Sequence, residues 1–542
     1  MARIHEAAAA APLPVAPLPA APLVATIEEY LAAHPEAAVL EEGKVAFDMR
    51  SAHCTVAEQH GRCVVQFWND ERNLLRTVVE VQQRAHSLRL ITHRMGASRS
   101  QTLELVPSHE RRTPTTRESA RRHYQRLLER VLSRRFVGAK VDGFRSAMDL
   151  EHSFGPAYVR GRLLQGTAAD AVIGVSAAES GAIIDGVLTL GILWLDYCRQ
   201  KTAARRHYGG LKVIVPEGAA RTTAERMAWL NYTAANFQLF TLNEQSEELE
   251  PVEHADMGNA TARLMHACSP ESVLARCREG LDRLLELVPD GARCRIEVRP
   301  RTATEVGLLL HGLEFARVRQ VARSDSFDRV LEVSFGAGPN ETLLDESNTE
   351  RCRELIHRLF LSRYPDGAHN DPLFRLQPER WLESEVRAGL SELLPALRCD
   401  LFYEQVPAVG IGDRGLLDLL TLDRSGRLVV IELKADEDLH LPLQALDYWI
   451  RVRTLNADRK TVGGAGRQLS AFERAGYFTG NEVSELDPRL LLAAPALRIH
   501  PANETVLRYL SPRVDWELIA FGEHWRSELK IVFRKRSTDQ RS

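Results

Sequence analysis

The chain has no Cys-x-x-Cys pair and no short cluster of cysteine and histidine at zinc-ligand spacing. Its eight cysteines, Cys54, Cys63, Cys198, Cys268, Cys277, Cys294, Cys352 and Cys399, are scattered along 542 residues. That excludes a zinc-ribbon or disulfide scaffold and predicts reduced thiols in a cytoplasmic protein. An excess of charge of one sign is lacking too. Seventy Lys and Arg stand against 73 Asp and Glu, for a net charge of -3, which rules out a uniformly basic packaging protein and confines any nucleic-acid contact to local patches. The longest apolar run, 181–198, carries Asp185 and Asp196 and lacks flanking basic loops, so it predicts a buried helix rather than a membrane span. The alanine- and proline-rich stretch 7–22 has no polar cleavage region and suits a flexible leader better than a signal peptide.

What is present is an ordinary folded composition, 44% hydrophobic and 26% charged, in a chain long enough for three or four domains at about 150 residues each. Short alternating runs at 63–68, 77–81, 88–91 and 102–106 predict a small β module. Helix-start chemistry at 113–118 then opens a long helix on which Tyr124, Leu127, Leu128, Val131 and Leu132 recur at helical spacing. The order expected from there to residue 242 is αβββαβαβ. Leucines and valines at helical intervals over 260–288 predict a connecting helix, followed by a second β-rich stretch and a helix at 350–361. From residue 378 the pattern αβββαβαβ recurs. The expected divisions are a leader over 1–23, a β-rich module over 24–112, an α/β domain over 113–256, a helical connector over 257–290, a second β-rich module over 291–377 and a last α/β domain over 378–542.

The recurrence extends to spacing. Aligning 429–435 on 171–177 keeps a hydrophobic strand while Glu432 and Lys434 become Gly174 and Ser176. The interval from Pro216 to Phe237 equals that from Pro495 to Trp516, and Gly96-Ala97 before Thr102-Leu103 matches Gly336-Ala337 before Thr342-Leu343. These matches favour a tandem duplication of a β module joined to an α/β module.

The last third carries the chemistry. Asp418 and Glu432 are separated by an interval that suits two antiparallel strands joined by the turn Asp423-Arg424-Ser425-Gly426, which lets the two carboxylates face one another. Glu432 and Lys434 share one strand face, with Leu433 turned inward between them. Two carboxylates and a backbone carbonyl are hard oxygen ligands for Mg²⁺, with Mn²⁺ as a substitute, and a neighbouring ammonium suits phosphate chemistry.

The set Asp418, Glu432-x-Lys434 and Gln444-x-x-x-Tyr448 resembles the PD-(D/E)XK nuclease superfamily and its RecB-type branch. The resemblance covers 378–521, with Leu417 where the family often has proline. It implies a restriction-endonuclease-like αβββαβ core, with Glu383 as the helix-borne acid and Glu385 as the less favoured choice. It further implies metal-dependent hydrolysis of nucleic acid, DNA rather than RNA, with Gln444 and Tyr448 in the site. In the first copy Arg160, Gly174 and Ser176 stand in the key places, so that copy is expected to be degenerate. It offers instead an arginine stripe, Arg122, Arg126, Arg130 and Arg134, as a nucleic-acid contact. Arg414 is a further candidate for a phosphate. The alternative is a non-catalytic nucleic-acid-binding or scaffold protein, and the β modules are candidates for a protein partner.

Overall fold

The structure, a computed structural model, describes residues 20–540 except 42–43, 50–51, 60, 69–72, 84–86, 94–99, 108–113, 150, 203–205, 255–262, 265, 268, 323–328, 337–340, 411–412 and 462–467. Contacts group the chain into two units, Met1–Leu163 with Gly174–Ile184 and Leu242–Glu250, and Leu164–Ile173 with Asp185–Thr241 and Pro251–Ser542. The chain is α/β, with several sheets.

The first β-rich region lays helix α1 (Ala20–Ala33) on an antiparallel sheet of β1 (Ala38–Glu41), β2 (Lys44–Asp48), β3 (His53–Gln59), β4 (Arg62–Trp68), β5 (Asn73–Gln83), β6 (Leu88–His93) and β7 (Ser100–Val106), in the order β2-β1-β7-β6-β5-β4-β3. Alternate residues of β4 and β6, among them Val65, Phe67, Leu88 and Leu90, share a core with Leu23 and Ile27 of the helix. A period of two buries only one sheet face. The helix starts inside the stretch expected to be leader, because its alanine-rich sequence continues the leader's composition.

The first α/β region runs α2 (Pro114–Arg135), β8 (Lys140–Arg145), β9 (Tyr158–Gln165), β10 (Ala168–Val175), α3 (Gly181–Asp185), α4 (Val187–Thr202), β11 (His207–Pro216), α5 (Arg221–Met227), β12 (Asn236–Asn243) and β13 (Glu248–Val252). Its strands lie in the order β8-β9-β10-β11-β12-β13. The five apolar residues that predicted α2 are all buried. The stretch Gly181–Lys201 is the one helix long and apolar enough to cross a membrane among the described residues, and most of it is buried inside the protein.

Next come β14 (Arg263–Leu264), α6 (Pro270–Leu285), β15 (Ile296–Thr302), β16 (Glu305–Leu310), β17 (Leu313–Ala322), β18 (Arg329–Phe335), β19 (Thr342–Leu343) and α7 (Thr349–Ser362). The expected connector is therefore structural. β14 pairs with a strand of the last domain, and Val273, Cys277, Leu281 and Leu284 of α6 share a core with Val306, Leu308, Val318 and Val333 of the five-stranded sheet. The glycine-threonine spacing shared by the two β modules lies largely outside the described residues.

The two-residue turn His311-Gly312, between β16 and β17, has positive φ at both positions, the requirement of a tight hairpin turn whose twist matches its strands. A Cβ on Gly312 would stand 1.9 Å from the Arg380 carbonyl oxygen. Gly312→Ala should destabilise the protein by about 2–3 kcal/mol, the scale of forced backbone strain. A urea midpoint equal to that of the wild type would show that the approach relaxes freely.

The last domain runs α8 (Pro372–Arg375), α9 (Pro378–Leu393), β20 (Tyr403–Gly410), β21 (Asp413–Leu422), β22 (Leu428–Leu433), α10 (Leu441–Ala457), the ladder β23 (Lys460–Thr461) with β24 (Gln468–Leu469), α11 (Ala471–Arg474), β25 (Arg489–Pro495), α12 (Pro501–Arg508), β26 (Asp515–Phe521) and β27 (Ile531–Arg536). Its sheet order is β14-β20-β21-β22-β25-β26-β27. From β20 onward the strands follow one another in sequence order, as they do from β8 to β13. The basic residues Arg534, Lys535 and Arg536 belong to β27 rather than a free tail, with Arg534 and Arg536 beside Glu517. β22 is buried at every position and runs parallel to β25, the central placement that a near-continuous apolar strand demands.

Candidate active site

β21 and β22 pair antiparallel from Leu422↔Leu428 to Leu419↔Ile431. One further step of that register sets Asp418 opposite Glu432. The connecting turn is the expected one: the Asp423 carboxylate accepts from the amides of Ser425 and Arg427, at 2.8 and 3.0 Å, and Gly426 takes a positive φ. At the far end, Asp418 Oδ2 accepts from the Leu433 amide at 3.2 Å, and Lys434 Nζ lies 3.3 Å from Glu432 Oε1. Leu433 between them is buried in the core shared with α9.

The electrostatics are those of crowded carboxylates around one ammonium. Burial, with Asp418 beside it, pushes the Glu432 carboxyl far above its ordinary range, against the opposing pull of Lys434. Burial works against the Lys434 charge, but Glu432, Glu379 and Asp418 outweigh it and hold the ammonium protonated. Glu432 is 2% exposed, and its Oε2 has no hydrogen-bond partner among the described residues. A buried, unsatisfied carboxylate oxygen is costly in isolation. Two facing carboxylates with such an oxygen fit a hard divalent cation. Mg²⁺ commonly keeps several waters and takes only one or two protein carboxylates, and no group of three or more His, Cys, Asp or Glu suited to a metal occurs among the described residues.

The helix-borne acid near this group is Glu379. Its carboxylate lies 3.7 Å from Lys434 Nζ; burial first, then Asp418 and Asp438, raise its pKa, while Lys434 opposes them. Glu383, one helical turn on, points elsewhere. It bonds Arg380 at 2.8 Å and faces Arg299 of β15 and Glu404 of β20. Arg299 also pairs with Glu404. Burial and the Glu404 charge push Glu383 up to about 7. Glu385 accepts from Trp381 Nε1 and meets His311 Nδ1, each at 3.0 Å. Glu379 and Glu383 share a helix face, so the sequence carries no signal that separates them.

Helix α10 brings Tyr448 to the group. Burial first, then Glu432 and Asp418, hold its hydroxyl protonated. Gln444 lies half-buried on the first turn of the same helix. Asp447, adjacent to Tyr448, is gripped by Arg226 of α5, with paired bonds of 2.8 and 2.7 Å. Neither Asp447 nor Arg226 stands out in the sequence.

In the first α/β region the aligned positions hold Arg160, Gly174 and Ser176 instead. Arg160 is fully buried over the Phe154 ring and bonds the Ala147 carbonyl at 2.8 Å. Ser176 Oγ donates to Glu244, whose other oxygen accepts from the Ala177 amide at 2.6 Å. Of the arginine stripe, Arg130 and Arg134 both pair with Glu247, Arg122 pairs with Glu118, and Arg126 is exposed. Arg414 lies in β21, its side chain outside the described residues.

The seven described cysteines, all but Cys268, are free thiols. No protein-family model matches the chain, and no curated protein matches it.

Proposed function

We propose that the last domain is a Mg²⁺-dependent nuclease of the PD-(D/E)XK type, with a restriction-endonuclease-like core, acting on DNA. The observation that carries this reading is the meeting of Asp418, Glu432 and Lys434 at the end of a buried central strand, where an uncompensated acid would be expensive. Asp418, Glu432 and the Leu433 carbonyl are the groups that would hold the cation. When bound, Mg²⁺ polarises a phosphate oxygen and lowers the pKa of a water. Lys434 keeps its proton and stabilises negative charge developing on the phosphate. Glu379, at the rim, steers Lys434 and accepts a hydrogen bond from the attacking water. Tyr448 donates its hydroxyl proton toward the acids, and Gln444 lines the approach.

The shared strand order supports a tandem duplication, in which the first α/β domain is a copy that lost its acids and retained its packing. Free thiols suit a cytoplasmic location. The decisive experiment incubates labelled single-stranded, duplex and flap DNA, and matching RNA, with Mg²⁺, Mn²⁺ or EDTA. Cleavage that EDTA stops supports the nuclease; binding without cleavage on every substrate leaves the scaffold reading.

The first copy's arginine stripe is proposed as the duplex contact. Its salt bridges are exposed and individually weak, so phosphates can displace Glu118 and Glu247. Changing Arg122, Arg126, Arg130 and Arg134 together to Gln should weaken DNA binding and flatten its log-log salt slope by roughly 0.9 per lost contact. An unchanged slope in that variant would make the stripe a solvated face.

A further inference from the structure

Two segments of the second unit meet about a local twofold axis. Leu230, after α5, and Leu510, after α12, form an antiparallel bridge. The Asn231 amide donates to the Tyr509 carbonyl and the Ser511 amide to the Trp229 carbonyl, both at 2.8 Å. A shift of 280 residues maps 229, 230 and 231 onto 509, 510 and 511, so the two hydrogen bonds exchange under it. Arginines from two helices reinforce the bridge from either side. Arg199 of α4 bonds the Tyr509 hydroxyl at 3.1 Å and lies over its ring, while Arg453 of α10 lies over the Trp229 ring at 4.6 Å. The chain after α5 and the chain after α12 therefore meet across one antiparallel bridge inside the second unit.

One interaction breaks the symmetry. Arg226 grips Asp447 through two parallel bonds and also donates to the Asp185 carbonyl, while the same shift maps Arg226 onto Val506, which is fully buried and apolar. Burial opposes the Arg226 charge, and Asp447 more than restores it. A planar guanidinium fork on a carboxylate fixes direction as well as distance. The gripped helix is α10, and Asp447 directly precedes Tyr448, so the azimuth of one sets that of the other. A second contact, His440 Nδ1 to Thr189 Oγ1 at 3.1 Å, holds the start of α10 to α4.

We propose that α4 and α5 form a built-in partner surface for α10 and that Arg226 is a positioning residue, locking the rotation of α10 so that Tyr448 and Gln444 are presented to Asp418, Glu432 and Lys434. The catalytic consequence rests on the nuclease reading; the clamp on α10 does not.

The test uses the full chain with three substitutions: Arg226→Gln, Arg226→Lys, and the apolar pair Arg226→Met with Asp447→Leu. The double variant guards against misfolding, since a buried ion pair replaced by apolar groups of similar volume is often neutral in stability. Amide hydrogen exchange should rise about tenfold across 441–457 in Arg226→Gln and in the double variant, while β22 and α9 keep their protection. On labelled DNA with Mg²⁺, kcat should fall about 10- to 100-fold with KM within twofold, the scale of a misplaced catalytic group, and Arg226→Lys should recover part of that loss. Wild-type exchange in α10 together with wild-type kcat in a folded double variant overturns the proposal. If the wild type cleaves nothing, the nuclease reading falls, and α10 exchange alone decides the clamp.

Discussion

Glu432→Gln is expected to reduce Mg²⁺-dependent cleavage by on the order of a thousandfold, the scale on which removing one preorganised electrostatic group slows a reaction, while the protein remains at least as stable as the wild type. The two halves of this expectation have one cause. Glu432 is buried on a central strand, and its carboxyl is pushed far up by that burial and by Asp418. The folded chain therefore resists its ionisation and gains nothing from its charge. Glutamine keeps the shape and cannot ionise, so the fold is relieved of a buried acid and the proposed site is denied an anionic oxygen. Lys434 retains Glu379 at 3.7 Å as a counter-charge and is not left bare. Thermal unfolding and a cleavage time course on the same preparation separate the two effects. Full activity in Glu432→Gln would remove the site from its proposed place. A large loss of stability would mean that Glu432 is a structural member of the strand instead.

The parts of this molecule that were legible in the sequence are those governed by local periodicity. β22 lies at 428–433 as expected, because six apolar or shielded residues in a row leave a central strand as the compact solution. The facing of Asp418 and Glu432 followed from strand pairing and the Asp423 turn, both short-range devices. α1 was hidden because its alanines carry little amphipathic contrast next to the alanine- and proline-rich stretch before it. α6 read as a connector because a helix's apolar stripe does not say which sheet it covers; its partners lie tens of residues downstream in β16 to β18. The role of Arg226 was illegible for the same reason. Its carboxylate partner is 221 residues away in sequence, and only the packing of α5 against α10 brings them together. The choice between the helix acids was open for a subtler reason: Glu379 and Glu383 are one turn apart and share a helix face, so periodicity cannot separate them. What separates them is Arg299, contributed by the second β module, which draws Glu383 into its own cluster.

That separation makes opposite results at two neighbouring acids the sharpest expectation for the site. Glu379→Gln should lower cleavage by about 10- to 100-fold with little change in stability, because its carboxylate stands at the rim beside Lys434 and is half exposed. Glu383→Gln should leave cleavage within about threefold and should change stability in a pH-dependent way. The sign follows from the raised pKa. An unfolded glutamate titrates near 4.5 and the folded Glu383 near about 7, held up by burial and by the charge of Glu404 despite Arg380 and Arg299. Between those values the unfolded chain releases a proton that the folded chain keeps, so this residue makes wild-type stability fall as pH rises from about 4.5 to about 7, and the loss persists above. Glutamine does not titrate and removes that decline. The difference in urea midpoint between Glu383→Gln and wild type should therefore move in favour of the variant as pH rises from 5 to 8 and then level off. A pH-independent difference would show that Arg299 and Arg380 balance the Glu383 charge completely. Loss of cleavage in Glu383→Gln, with Glu379→Gln active, would return the helix acid to Glu383 and require α9 to turn during catalysis, since in this structure the Glu383 carboxylate lies among Arg299, Arg380 and Glu404.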